Sequence, residues 1–184
     1  MTLPTDLAEL ARRLERLEDI EAIKRLKYKY FRCFDTANLT ELAEVFTDDV
    51  TLSVIGGVYR FTLSGREAYL EMARNGAHAE MVTQHNGHHP EIDILGNGEA
   101  KGIWYLHDFV LEFRRKQHIT GTAFYRDRYV KRGGQWKIQH TEFERIFEIS
   151  EPIEKRPNVT FAYLATHAYR LPPGELAPFS REEE

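Results

Sequence analysis

The chain of 184 residues, 42% of them hydrophobic, is long enough for one domain with a buried core and short for two. Its 25 basic against 29 acidic side chains give a formal charge of -4, which offers no cationic field to a nucleic acid. The single cysteine, Cys33, excludes an internal disulfide or a thiolate metal cluster, and no stretch approaches the roughly 18 apolar residues of a membrane span, so a cytoplasmic protein without membrane association is expected.

Leu7, Leu10, Leu14 and Leu17 recur at spacings of three and four and predict a helix capped by Thr5 or Asp6. After Glu18 and Asp19 the stripe shifts, and Ile20, Ile23, Leu26, Tyr30 and Phe34 carry a second helical face to a break at residues 35–38. Residues 40–46 suit one more short helix. Residues 50–55 and 58–63 flank Gly56-Gly57, a two-residue hairpin signal, and Ser64 can cap a helix to about Asn75.

The second half is β-rich. Residues 81–95, 100–113, 119–131 and 135–149 form four long runs joined by Asn97-Gly98, by the polar residues 114–118, and by Gly133-Gly134. Helices followed by long antiparallel strands predict an α+β fold, a curved sheet wrapped on N-terminal helices. Beyond Glu151 the prolines Pro152, Pro157, Pro172, Pro173 and Pro178 dissolve the pattern, though residues 159–171 are aromatic enough to pack. The domain expectation is a helical extension over 1–17, one α+β domain over 18–150, and a tail over 151–184 that folds over the pocket, with charged residues 181–184 disordered.

Several polar residues fall where apolar ones would pack better. Alternation puts Asp108 on one strand face with Gly102, Trp104, Leu106 and Val110, so its carboxylate needs a partner or faces a wet cavity. His85 and His89 face one way in the run Gln84-His85-Asn86-Gly87-His88-His89-Pro90, and Gly87 and Pro90 are able to bulge that register. No helical HExxH pair or evident third ligand accompanies them, so no metal is expected. Tyr30 and Asp35 reach a common cavity only near the end of their helix, and Tyr30 on its stripe reads equally as core. Arg145 shares a face with Thr141, Phe143 and Phe147 and reads equally as an edge ion pair.

Together with Phe46-Thr47-Asp48-Asp49, Gly65-Arg66-Glu67, His88-His89-Pro90-Glu91-Ile92, Gly102-Ile103-Trp104 and the run Tyr125 to Val130 ahead of Trp136, the helix ending in Tyr30-Phe31-Arg32-Cys33-Phe34-Asp35 carries a resemblance. The chain resembles, over about residues 18–149, the SnoaL-like dehydratase branch of the superfamily named after nuclear transport factor two, kin of scytalone dehydratase and bile acid 7α-dehydratase. The resemblance implies a cone-shaped, cystatin-like α+β barrel in which Tyr30, Asp35, His85, Asp108 and Arg145 line one pocket. It further implies a homotrimer, a tail that closes the pocket, and catalysis without cofactor. His88, Tyr59, Trp104, Tyr125 and Phe143 are the expected substrate-binding residues.

In that reading the enzyme is a lyase acting on a bulky hydrophobic substrate, steroid-like or aromatic. His85 abstracts a proton, Asp35 or Asp108 orients it, Tyr30 donates to an oxygen, and Arg145 holds an anionic or carbonyl group. Water elimination and a retro-aldol cleavage that loses formaldehyde both fit these groups. The alternatives are a double-bond isomerase with a carboxylate base, or a non-catalytic subunit like the β subunit of ring-hydroxylating dioxygenases.

Overall fold

A computed structural model describes residues 6–175. Helix α1 (Leu7–Asp35) is a single 29-residue helix capped by Asp6, whose carboxylate accepts from the Glu9 N–H at 2.7 Å. Residues 7–17 of the expected extension and the start of the domain at residue 18 are therefore continuous through one helix. Their two stripes differ in fate: Leu7, Leu10, Leu14 and Leu17 are exposed, whereas Ile23, Lys27, Tyr30, Phe31 and Cys33 are buried. The short helix α2 (Leu39–Ala43) and the helix α3 (Arg66–Gly76) follow, the latter behind Gly65 rather than a side-chain cap from Ser64. The expected disorder at 181–184 lies outside the described residues.

Six strands form one curved, unclosed sheet: β1 (Phe46–Ile55), β2 (Arg60–Ser64), β3 (Met81–Gly96), β4 (Glu99–Glu112), β5 (Gln117–Arg132) and β6 (Gln135–Pro152), in the order β2-β1-β6-β5-β4-β3. The α+β cone is as expected. One pairing departs from the antiparallel expectation, because β1 runs parallel to β6. That pairing joins segments on either side of α3 and the long hairpins, beyond what local alternation reports. Turns obey their sequence signals: Asn97 and Gly98 have φ of 53° and 72°, and Gly133 and Gly134 have 56° and 79°, the positive values of tight hairpin turns.

The β1–β2 connection is the exception, a loop over residues 56–59 closed by Gly56 N–H to the Tyr59 carbonyl at 2.8 Å. The Tyr59 ring lies over Gly56, where an added Cβ would sit 2.3 Å from its Cζ. This packing holds the Tyr59 phenol toward the concave face. At the opposite edge Phe31 covers Gly87, where a Cβ would lie 2.0 Å from its ring, so the end of α1 approaches β3 closely. The core of Ile23, Tyr30, Phe31, Phe46, Trp104 and Tyr129 fills the narrow end of the cone.

The tail returns to the same body. Arg114 donates to the carbonyls of Leu171 at 2.8 Å and Pro172 at 2.6 Å, and Ala79 N–H donates to Tyr169 O at 2.9 Å. The one-turn helix α4 (Leu164–His167) buries Leu164 against Ala77 and Met81, with Phe34 and Val110 alongside.

Candidate active site

A cavity of about 260 Å³ opens in the concave face, walled by apolar side chains such as Leu52, Val54, Met72, Val110 and Ile119. Strand register arranges its polar groups in tiers. Trp104 pairs with Tyr125, Asp108 with Gly121, and Glu112 with Gln117, while His85 on β3 stands opposite Asp108.

In the deepest tier the Tyr30 hydroxyl meets Tyr69 at 2.8 Å and Tyr125 at 3.3 Å. Burial, the largest cause for each, pushes all three phenols well above their usual range, so they remain protonated donors at neutral pH. Three hydroxyls joined by two hydrogen bonds leave one O–H for a ligand.

The middle tier carries His85 and Arg145. His85 Nδ1 lies 2.6 Å from Asp35 Oδ1, its backbone N–H donates to Asp35 Oδ2 at 2.8 Å, and Thr83 Oγ1 donates to Oδ1 at 2.9 Å. Burial by itself would raise the Asp35 carboxyl. The hydrogen bonds and charge of His85, with Thr83, outweigh it and hold the carboxyl below its ordinary value. With Nδ1 committed to Asp35, Nε2 is the nitrogen of His85 available to a substrate. Asp35 itself stands behind the histidine, outside the cavity lining.

Asp108 takes a different partner: Arg145 NH1 donates to its Oδ1 at 2.7 Å. Arg145 Nε lies 2.9 Å from Glu148 Oε2 and 3.2 Å from the Tyr59 hydroxyl, which itself donates to Glu148 at 2.9 Å. Burial would lower the guanidinium pKa, yet the contacts with Asp108 and Tyr59 hold it above its ordinary value. Burial, helped by Glu148 and opposed by Arg145, pushes Tyr59 up to about 12. Gly121 makes room for this arrangement, since an added Cβ would sit 3.2 Å from Arg145 NH1 and 2.4 Å from the Phe147 carbonyl.

The expected site residues Tyr30, His85, Asp108, Arg145, Tyr59, Tyr125 and Phe143 all line the cavity, with Asp35 one step behind. Two expected substrate-binding residues lie elsewhere. Trp104 has no exposure and donates its indole N–H to Tyr129 in the core at 2.9 Å. His88 sits where the β3 register shifts and its Nδ1 meets that of exposed His89 at 2.8 Å, away from the cavity. The grouping of Arg145 with Phe147 also fails: a bulge beside Thr122 and Ala123 adds a residue to β6, which leaves Phe147 49% exposed and turns Glu148 inward. Sequence reasoning missed Tyr69 and Glu148. The helical stripe of Tyr69, Met72, Ala73 and Gly76 signals the first, whereas no local pattern reports the bulge that places the second.

The position of Asp35 has a consequence for acid stability. Because its folded-state pKa is depressed, the stability it contributes is present above its unfolded value, about 3.9, and is lost as pH falls through the folded value. Urea unfolding of wild type and Asp35→Asn between about pH 6 and pH 2 is expected to show curves that separate at the neutral end and converge at the acid end. Curves that stay parallel would remove Asp35 from the acid transition.

The sequence model for the SnoaL-like domain matches residues 15–142. The chain belongs to this family. Among solved structures, this SnoaL-like chain superposes on a scytalone dehydratase-like protein from Novosphingobium aromaticivorans with a TM-score of 0.66 and 23% identity, over 77% of this chain and 97% of that one. The LinA-type3 hexachlorocyclohexane dehydrochlorinase of Novosphingobium barchaimii gives a TM-score of 0.66 at 20% identity, over 87% and 99%. An aromatic ring hydroxylase-like protein of N. aromaticivorans gives 0.65 at 17%, over 74% and 94%. At these identities the likeness is one of fold.

Proposed function

We propose that this SnoaL-like domain is a cofactor-independent lyase that removes water from a bulky, neutral β-hydroxy carbonyl compound or its vinylogue. The observation that carries the reading is the pairing of His85 with Asp35 at the cavity wall, Nδ1 to Oδ1 at 2.6 Å, which orients a base with Nε2 toward the apolar space. His85 Nε2 takes the proton from the carbon beside the carbonyl, and the C–H electron pair moves into an enolate. The enolate oxygen is met by fixed donors, the phenol chain of Tyr30, Tyr69 and Tyr125 or the Arg145 guanidinium. Collapse of the enolate breaks the β carbon–oxygen bond, and the proton returned from His85 leaves with the hydroxyl as water.

Charge supports a neutral substrate. Asp108, Glu112 and Glu148 line the cavity against Arg115 and Arg145, so an anionic head group would meet a formal excess of carboxylate. Arg145 is held between Asp108 and Glu148 and is better suited to a carbonyl or hydroxyl than to a free anion. The same base accommodates retro-aldol cleavage if it deprotonates the β-hydroxyl and the α–β carbon bond breaks to release an aldehyde. An isomerase with a carboxylate base finds less support, because Asp108 and Glu148 are both engaged by Arg145, and Glu112 by the Arg114 N–H and His78. The kinship in fold with dehydratase-like and dehydrochlorinase structures favours elimination over a non-catalytic subunit.

The test is absorbance of the purified protein with EDTA and a panel of β-hydroxy ketone steroids and hydroxylated diaryl ketones. Growth of a conjugated enone band, indifferent to the chelator, is the expected result. No turnover across the panel, or turnover abolished by EDTA, would overturn the reading.

A further inference from the structure

The cavity has a third tier that the elimination chemistry does not use. Asn75 at the end of α3, Gln117 at the start of β5 and Ser150 on β6 all line it. Their side chains make no hydrogen bond among the described residues, whereas the deeper polar groups of the lining are bonded to one another. Register fixes how far out the two strand residues stand. Gln117 pairs with Glu112 and Gly121 with Asp108, so Gln117 stands four strand residues from the level of His85 and Asp108, about 13 Å at the usual rise of a strand, while Ser150, paired with Ile119, stands about halfway and is the diagonal cross-strand neighbour of Gln117. On β4 and β5 the wall between the two levels is apolar, with Val110 and Ile119 at the midpoint beside Ser150 of β6.

We infer that Gln117 and Ser150, with Asn75 of the same lining, form a second recognition pole, and that the substrate is an elongated neutral molecule with a hydroxyl at the end remote from its reacting carbonyl. The orientation rests on the proposed lyase reading, which places the carbonyl at His85. The chemistry is that of a neutral hydrogen-bonding group: an amide and a hydroxyl both donate and accept, and neither adds charge. Glu112 next to this pole is occupied, receiving the Arg114 N–H at 2.9 Å and contacting His78 at 3.4 Å and Arg115 at 3.8 Å, which leaves Gln117 and Ser150 as the adaptable partners. A rigid apolar body with polar groups at both ends fills such a cavity without leaving either tier unpaired.

The test is binding, read by quenching of intrinsic fluorescence, with two product-type enones: testosterone, which has a hydroxyl far from its conjugated carbonyl, and androst-4-en-3-one, which lacks that hydroxyl. Testosterone is expected to bind about five- to tenfold more tightly, the worth of one or two hydrogen bonds. In the double variant Gln117→Leu/Ser150→Ala the preference should fall to about twofold or less while the affinity for androst-4-en-3-one is kept, which shows the cavity intact. Equal affinities in the wild type, a preference that survives the double variant, or failure of both ligands to bind would overturn the second pole. Because no turnover is measured, a wild-type preference lost in the variant alongside an inactive elimination assay would keep the pole and sink the lyase reading.

Discussion

Replacing His85 with glutamine is expected to lower kcat for elimination about a hundred- to ten-thousandfold, with the Kd for a product-type enone changed by less than about threefold. The reasoning is geometric. His85 is the one lining residue whose second nitrogen is committed to a carboxylate behind it, at 2.6 Å, and glutamine fills similar space without a basic nitrogen. Asp35→Asn is expected to approach the same loss for a separate reason. Its amide can present N–H to Nδ1, and the imidazole then carries its proton on Nε2 and cannot act as base. Steady-state kinetics of both variants, with the ligand Kd measured in parallel, separates loss of chemistry from loss of binding. Activity within tenfold of wild type in His85→Gln would place the base elsewhere, with Asp108, Glu112 and Glu148 the remaining carboxylates on the wall.

The second large effect concerns stability. Lys27→Met is expected to lower the unfolding free energy by about 3–5 kcal/mol, measured by urea denaturation. Lys27 has no solvent exposure, and its ammonium lies 2.8 Å from Asp127 Oδ2. Its Nζ also lies 3.8 Å from the Tyr125 ring centroid and 4.5 Å from that of Tyr30. Burial lowers the lysine pKa, and the charge of Asp127 opposes it. Without Lys27 the carboxylate keeps, among the described residues, the Tyr129 and Thr141 hydroxyls, each at 2.6 Å, for a charge that is 2% exposed. The double variant Lys27→Met/Asp127→Asn removes that orphaned charge and is expected to be more stable than Lys27→Met alone. A loss below about 1 kcal/mol in the single variant would mean that water or relaxation compensates the charge. Since the pair sits beneath two of the three phenols, the lysine variant is also expected to loosen the donor chain at the cavity floor.

Some features of the site were legible because their signals are local. Asn97-Gly98 and Gly133-Gly134 mark turns that need positive φ, and the four long strands between and around them alternate as a half-buried sheet should. Tyr30 near the end of α1, His85 on β3, Asp108 on β4 and Arg145 on β6 stand out as polar residues in apolar surroundings. Other features were invisible for stated reasons. Asp108, directly opposite His85 in register, looked as able to orient it as Asp35 did, and the choice depended on where the tip of α1 docks. Trp104 shares its strand face with Asp108 yet lies in the closed end of the cone, covered by Phe31 and Tyr28.

The sequence by itself determined most of the elements, the α+β class and the family, because propensity, hydrophobic period and turn chemistry act over a few residues and leave their mark in the order of side chains; it did not reveal α4 or that Phe46 opens β1 rather than ending a helix. The tertiary structure alone decided the parallel pairing of β1 with β6, the single inserted residue that turns Glu148 inward, the assignment of Asp35 to His85 and of Arg145 to Asp108, and the burial of Lys27. Each depends on which segments meet across long stretches of chain, where packing and the pairing of buried charge choose among partners that local sequence leaves equivalent.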